Sequence, residues 1–326
     1  MKFTSRIIKL LSVFLVLCVV LTGCQKQGAL KDPYSVYDTK LTVQSEQANA
    51  PQFIASALCV PSGNQVAEES LPQPYVEAAG LFDVTAQTVP YCKNVYGKMY
   101  PASTTKILTA LLILENCKLD EVVTVSENAT KLPSGAVGCK LKTGDQITVE
   151  QLLYGLLLVS GNDCAVALAE HLSQTVEGFA TKMNEKCKIL GATHSNFVNP
   201  NGLHDDNHYS SIYDLYLIFQ ECIKNPEFVK IINTPTYKAT YKDSTGAVVE
   251  NMYETTNMFL NGKETVPGGI SIIGGKTGTT NDAGSCLVLY CKNKKGNDQI
   301  LIVLKAGSKE LLYQHMRKMM EEFSNL

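Results

Sequence analysis

Ser103 and Lys106 stand three residues apart in Pro101-Ala102-Ser103-Thr104-Thr105-Lys106, just ahead of the apolar run from Ile107 to Leu114. On a helix that spacing puts both side chains on one face, with Cβ atoms about 5–6 Å apart. A serine hydroxyl needs a base to take its proton before it can attack a carbonyl. An exposed lysine, with a pKa of about 10.4, is a poor base at neutral pH. Burial disfavours the charged ammonium and lowers that value. Ile107, Leu108, Leu111, Leu112 and Leu114 surround the pair, so the helix is expected to run through a core. A buried serine–lysine pair is a nucleophile with its base. Taken alone, the tetrad also fits a helix start with a lysine snorkelling to water.

Two later triplets could complete a site. Ser160-Gly161-Asn162 falls at a helix–helix turn inside LLYGLLLVSGNDCAVALAEHL. Lys276-Thr277-Gly278 falls at the mouth of a strand and is followed by Thr279-Thr280-Asn281-Asp282. Each triplet has a second copy, Ser62-Gly63-Asn64 and Lys142-Thr143-Gly144. The first copy stands before Ser103, between a possible strand and polar residues, and the second reads as a turn before the helix start at Thr148, so neither shares the context of the later pair.

The elements that must position these residues follow from periodicity. Val76 to Val84 and Val89 to Val95 read as a hairpin around Thr85-Ala86-Gln87-Thr88. Thr148 and Gln151 form a capping box that opens the apolar helix Leu152 to Leu158. Ala165 to Leu172, Gly178 to Leu190 and Ile212 to Asn225 read as further helices, the middle one stopped by Gly191. Strands return at Thr236 to Tyr241 and Ala247 to Tyr253, around Asp243-Ser244-Thr245-Gly246. Ser285 to Cys291 and Gln299 to Lys305 form a second hairpin, and Ser308 to Phe323 is an amphipathic helix. The expected fold is α+β. One antiparallel sheet is built from both chain ends, a helical lobe spans about 103–225, and the site lies in the cleft between.

The order S-x-x-K, S-G-N, K-T-G resembles the penicillin-recognising serine enzymes, for which such a set is known. The stretches ASTTKILTALL, LVSGNDCAVALAEH, NFVNPNGLHDDNHYSS and GGKTGTTNDAGSCLV narrow the likeness. They resemble D-alanyl-D-alanine carboxypeptidases of the low-molecular-mass penicillin-binding group, peptidase family S11, over about residues 76–323. The resemblance implies a β-lactamase/DD-peptidase-like fold and removal of the terminal D-alanine from peptidoglycan stem peptides. It also implies β-lactams as covalent inhibitors. Family members often carry a C-terminal β-domain and an amphipathic membrane helix, and here the chain stops one helix after the last strands.

On that resemblance Ser103 attacks the carbonyl between the two D-alanines and Lys106 takes its proton. Ser160 relays protons between Lys106, Lys276 and the leaving amine, since a hydroxyl both donates and accepts. Asn162 donates to the substrate backbone and steadies Lys106. Lys276 is expected to keep its charge, and Thr277 and Thr279 to bind the terminal carboxylate. The backbone N–H groups of Ser103 and Thr279 form the oxyanion hole. Gly278 leaves room for a substrate strand. Two other readings stay open, a β-lactamase and a non-catalytic penicillin-binding surface sensor. A related β-lactamase would place a glutamate in the loop after its second motif. The matching stretch Asn196 to Asn201 holds no acid, although Asp205 is near.

The N-terminus reads as an address. Lys2, Arg6 and Lys9 precede an apolar stretch from Leu10 to Leu21, too short for a comfortable membrane span. Leu21-Thr22-Gly23-Cys24 resembles a bacterial lipobox. Residues 1–23 are then a signal peptide and Cys24 a lipid anchor to the cell membrane. Residues 24–74 are a tether, and 75–326 the peptidase domain, outside the cytoplasm. Loss of the three basic residues takes the formal charge from −2 to about −5. No basic stripe suggests nucleic acid. The only arginines are Arg6 and Arg317, so an anion must be held by lysine, hydroxyls or backbone N–H groups.

Of 11 cysteines, nine lie beyond Cys24, with no C-x-x-C pair, and read mostly as core filler. His194, His204 and His208 lack the spacing of a helical metal pair, and no metal or cofactor is expected. Asp214 reads as a helix-start residue.

Overall fold

Period-2 burial builds the larger sheet. Along β8 (Gly284–Lys292) and β9 (Asp298–Ala306), Cys286, Val288, Ile300, Ile302 and Leu304 point into one apolar core. The residues between them, Leu287, Leu289, Cys291, Leu301 and Val303, point into a second. Both faces are therefore covered, and these strands read as nearly unbroken apolar runs. The computed structural model describes residues 58–61 and 76–326. β1 (Val76–Asp83) and β2 (Thr88–Lys93) form the first hairpin, and β1 lies against β9. With β7 (Ser271–Thr280) the sheet order is β2-β1-β9-β8-β7, antiparallel throughout. The two chain ends thus share one sheet.

Among the described residues β7 is an edge strand, paired through β8 alone. Its other edge is open to a cleft.

One face of the sheet packs on the lobe that carries the serine helix. Residues 102–105 form a 3-10 turn that runs into α1 (Lys106–Asn116), buried from Lys106 to Ile113. β3 (Val122–Thr124) and the short α2 (Glu127–Thr130) follow. After β4 (Gln146–Thr148), the capping box of Thr148 and Gln151 opens α3 (Val149–Tyr154). A single π-turn, Gly155–Val159, continues it. α4 (Asn162–Ser173), α5 (Val176–Leu190) and α6 (Ile212–Cys222) complete the packing. Gly191, with φ of +77°, stops α5 in the left-handed conformation that favours glycine. Cys59 is buried here as well, its N–H donating to Tyr216 Oη at 2.9 Å.

The other face is covered by α8 (Lys309–Glu322), capped by Ser308. It buries Leu312, Tyr313, Met316, Met319 and Met320.

Two parts of the layout differ from the sequence expectation. The hairpin β5 (Thr236–Lys242) and β6 (Val248–Glu254) does not join the sheet made by the chain ends. It forms a second antiparallel sheet in the order β3-β4-β5-β6. Alternation identifies a strand but not its partner, and β3 and β4 are three residues each, too short to leave a periodic signal. The lobe is accordingly mixed rather than helical. The helix expected to run to Asn225 also ends at Cys222. Asn225 caps a new helix, α7 (Pro226–Ile232), with Pro226 at its first position.

The nine cysteines among the described residues are free thiols, and all but Cys117 are buried. They fill the core as small apolar groups. Asp214 sits in the first turn of α6 and ties down the loop before it, accepting from the His194 N–H at 2.7 Å and from Ser195 Oγ at 2.6 Å.

Candidate active site

The serine lies on a strained turn. Ala102, just before it, has φ of +47°, a left-handed conformation that costs a non-glycine residue energy and recurs at functional sites. Ser103 is half-buried, and its Oγ lies 2.9 Å from Lys106 Nζ. Lys106 is fully buried. Its Nζ also donates to Asn162 Oδ1 at 2.8 Å and to the Asn201 carbonyl at 2.6 Å. Burial pushes the Lys106 ammonium down to about 7, a shift the Asp163 carboxylate partly offsets. A lysine with that pKa is half neutral near pH 7 and can accept the serine proton.

The second motif follows the π-turn. Ser160 adopts φ of 71°, again left-handed, and the turn aims its hydroxyl across the cleft. Ser160 Oγ accepts from Lys276 Nζ at 2.9 Å. Asn162 begins α4 and turns its side-chain amide oxygen to Lys106.

The third motif lies within β7 rather than at its mouth. Lys276 is fully buried and donates to Ser160 Oγ and to the Thr277 carbonyl at 2.7 Å. Desolvation, then the nearby Lys106, push its pKa well below the usual lysine range. Both effects work against the charge expected of Lys276. A carboxylate beside Lys276 would favour its charged form.

The structure gives Gly278 a reason beyond the one expected. A Cβ there would lie 2.9 Å from the Ser103 nitrogen and 3.1 Å from both the Ala102 Cβ and the Pro101 carbonyl oxygen. The glycine lets β7 press against the serine turn. Thr277 Oγ1 is 2.6 Å from Thr256 Oγ1, and Thr279 is exposed. Together with Ser103 and Ser160 these side chains line a cleft of about 450 Å³.

The structure thus gathers Ser103, Lys106, Ser160, Asn162, Lys276, Thr277, Gly278 and Thr279 around one cleft. Lys142-Thr143-Gly144 is instead a tight turn into β4, with Gly144 at φ of +87°. Ser62-Gly63-Asn64 and Cys24 lie outside the described residues. The three histidines are dispersed. His194 uses its backbone on Asp214, His204 lies between Asp206 and Asp282, and His208 is buried against Thr105.

Sequence reasoning missed the Asn201 carbonyl and Thr256. A backbone carbonyl has no residue-type signature. Only the turn-forming run Asn199-Pro200-Asn201-Gly202 hinted that a loop closes here. Its Gly202 has φ of +82°, and a Cβ would lie 1.8 Å from the Ala102 carbonyl oxygen. The loop is therefore wedged against the serine turn.

The family model described as D-alanyl-D-alanine carboxypeptidase, Peptidase S11, matches residues 65–308. The chain belongs to this family. It is 34% identical over 261 residues to D-alanyl-D-alanine carboxypeptidase DacF of Bacillus subtilis, covering 78% of this chain and 63% of the relative's length. It is 31% identical over 255 residues to the D-alanyl-D-alanine carboxypeptidase of Streptomyces sp. strain K15, covering 73% of this chain and 84% of that protein. The crystal structure of the Streptomyces K15 DD-transpeptidase superposes with a TM-score of 0.73 at 30% identity, over 78% of this chain and 99% of that one. The D-alanyl-D-alanine carboxypeptidase structure from Mycobacterium tuberculosis gives a TM-score of 0.67 at 29% identity, over 77% and 91%. The fold of this S11 chain is the α+β, β-lactamase-like fold of these DD-peptidases.

Proposed function

We propose that this S11 protein is a serine D-Ala-D-Ala carboxypeptidase acting on peptidoglycan stem peptides through an acyl-enzyme on Ser103. The observation that carries this is the 2.9 Å contact between Ser103 Oγ and the buried Lys106 Nζ, beside the open edge of β7. Ser103 Oγ bonds to the carbonyl carbon of the penultimate D-alanine as Lys106 takes its proton. The oxyanion rests on the N–H groups of Ser103 and Thr279. The C–N bond then breaks, and the proton that Lys106 took passes through Ser160, which hydrogen-bonds Lys276, to the leaving amine, so that Lys106 is neutral again. Water afterwards releases the acyl group.

The substrate strand pairs with the free edge of β7, in the manner of β-strand addition. With no arginine among the cleft residues, the terminal carboxylate is held by Lys276, Thr277 and Thr279. A β-lactam presents the same amide and acylates the same oxygen. We further propose that the protein is held outside the cytoplasm on the bacterial membrane by a lipid on Cys24. Among the described residues no helix is long and apolar enough to cross a membrane. Cys24→Ser should shift it from the membrane fraction or leave an uncleaved precursor, and palmitate incorporation equal to wild type would place the anchor elsewhere.

The direct test of the activity is incubation with a peptide ending in Lys-D-Ala-D-Ala and assay of free D-alanine. Stoichiometric release and turnover support the reading. Covalent penicillin binding with no D-alanine release would favour the sensor, and rapid penicillin hydrolysis the β-lactamase.

A further inference from the structure

His208 is buried, with both ring nitrogens in use, and none of the three motifs contains it. Nδ1 lies 3.2 Å from the Val198 backbone nitrogen, and Nε2 lies 2.8 Å from Thr105 Oγ1. A backbone N–H can only donate, so Nδ1 carries the lone pair. Nε2 then carries the proton and donates it to Thr105. The ring also meets Phe197 edge-on, with centroids 5.3 Å apart. Around it, bridges between Asn196 and Tyr209 and between Met99 and Ser210 hold the flanking chain in place.

The two partners belong to different parts of the site. Thr105 is the last residue of the 3-10 turn that carries Ser103. Val198 leads into the loop whose Asn201 carbonyl takes Lys106 Nζ at 2.6 Å and lies 3.4 Å from Ser103 Oγ. Within that loop Asn199 Oδ1 accepts from the Asn201 and Gly202 N–H groups, so it moves as a unit. Thr109 Oγ1 pins it once more, donating to the Pro200 carbonyl at 2.6 Å.

We infer that His208 is a positioning residue that clamps the Asn201 loop to the serine turn and so fixes the carbonyl that orients Lys106 toward Ser103. It acts through Thr105 and Val198 and touches no reacting atom. This inference rests on Ser103 as nucleophile and Lys106 as base. The groups facing the ring are Lys106 from α1, and Asp205 and His204 from its own loop. Burial pushes the imidazole down to about 4, so the clamp stays neutral across the range in which Lys106 titrates.

The test is the second-order rate of acylation by a fluorescent penicillin, followed against pH. The proteins are wild type, Thr105→Val, Thr105→Ser, His208→Gln and the double variant Thr105→Val/His208→Gln, each also melted. Thr105→Val keeps the side-chain shape and removes only the hydroxyl. It should slow acylation by about 10-fold or more, as a small misplacement of reacting groups does. The acid limb set by Lys106 should move by about half a pH unit or more, because one hydrogen-bond acceptor of its charged form has shifted. Thr105→Ser, which keeps the hydroxyl, should restore both. The double variant should be no slower than the worse single one, since each breaks the same link. Rate and limb within twofold of wild type in folded Thr105→Val would overturn the inference, as would failure of Thr105→Ser to restore them or losses that multiply in the double variant. An unlabelled wild type would instead overturn the underlying reading of Ser103.

Discussion

Gly278 stands so close to Ser103 that a Cβ on it would lie 2.9 Å from the Ser103 backbone nitrogen. The neighbours it would strike are mostly backbone atoms of the serine turn, which cannot swing away as a flexible side chain can. Gly278→Ala should therefore move the serine relative to β7 without unfolding the five-stranded sheet. A displacement below 1 Å is enough to cost about 10–100-fold in acylation rate. Stopped-flow labelling with a fluorescent penicillin, with circular dichroism as the fold control, measures it. Wild-type acylation in the alanine variant would show that the turn has slack.

Lys106 sets the pH dependence. Burial holds its pKa near 7, and its neutral form is the base, so kcat/KM should rise as pH climbs through about 7. The same shift has a consequence for stability. Between about pH 7 and 10.5 the unfolded chain binds the lysine proton and the folded chain does not, so stability contributed by this group rises with pH across that window. Lys106→Arg keeps a permanent charge and should lose at least about 100-fold in acylation at every pH. A pH profile flat from 6 to 9 would remove Lys106 from the role of base.

Thr279 is exposed at the open edge of β7, where a substrate carboxylate would lie. A hydrogen bond to a charged group is worth about 1.5–3 kcal/mol. Thr279→Val should cost about 10–100-fold in kcat/KM on peptides ending in free D-Ala-D-Ala. It should cost much less when the terminal carboxylate is amidated. Equal losses on both peptides would mean that Thr279 does not read the carboxylate.

Thr256 is the neighbour that orients Thr277. Their hydroxyl oxygens are 2.6 Å apart, so one donates to the other and the second proton is free for a ligand. Thr256→Val removes that partner and lets the Thr277 hydroxyl rotate. The expected loss is about 5–10-fold in kcat/KM, from one neutral hydrogen bond of about 1 kcal/mol and some lost order. An unchanged KM and kcat for the free-acid peptide would show that Thr277 needs no such support.

Much of this site was legible in residue types. The spacing of Ser103 and Lys106, and the apolar run after them, anticipated their close approach at the head of a buried helix, although Ser103 itself is half-buried on the 3-10 turn before it. Thr148 and Gln151 marked a helix start that the structure keeps. What stayed hidden depended on contacts between distant parts of the chain. The Asn201 carbonyl carries no side-chain signal, and nothing local says that Thr256 will meet Thr277. The burial that works against the charge of Lys276 was hidden because it is a property of the folded lobe, not of the triplet. The second sheet escaped because β3 and β4 are too short to alternate visibly, although its longer hairpin, β5 and β6, was plain.

The most direct measurement is the intact mass of the protein after incubation with benzylpenicillin, followed by peptide mapping, for wild type and Ser103→Ala. Wild type should gain one penicilloyl group per chain, mapped to the peptide that holds Ser103, and the alanine variant should gain none while melting as wild type does. An adduct of the same stoichiometry on Ser103→Ala, or one mapped to another residue of wild type, would contradict the assignment of the nucleophile and with it the roles derived for Lys106, Ser160 and Lys276.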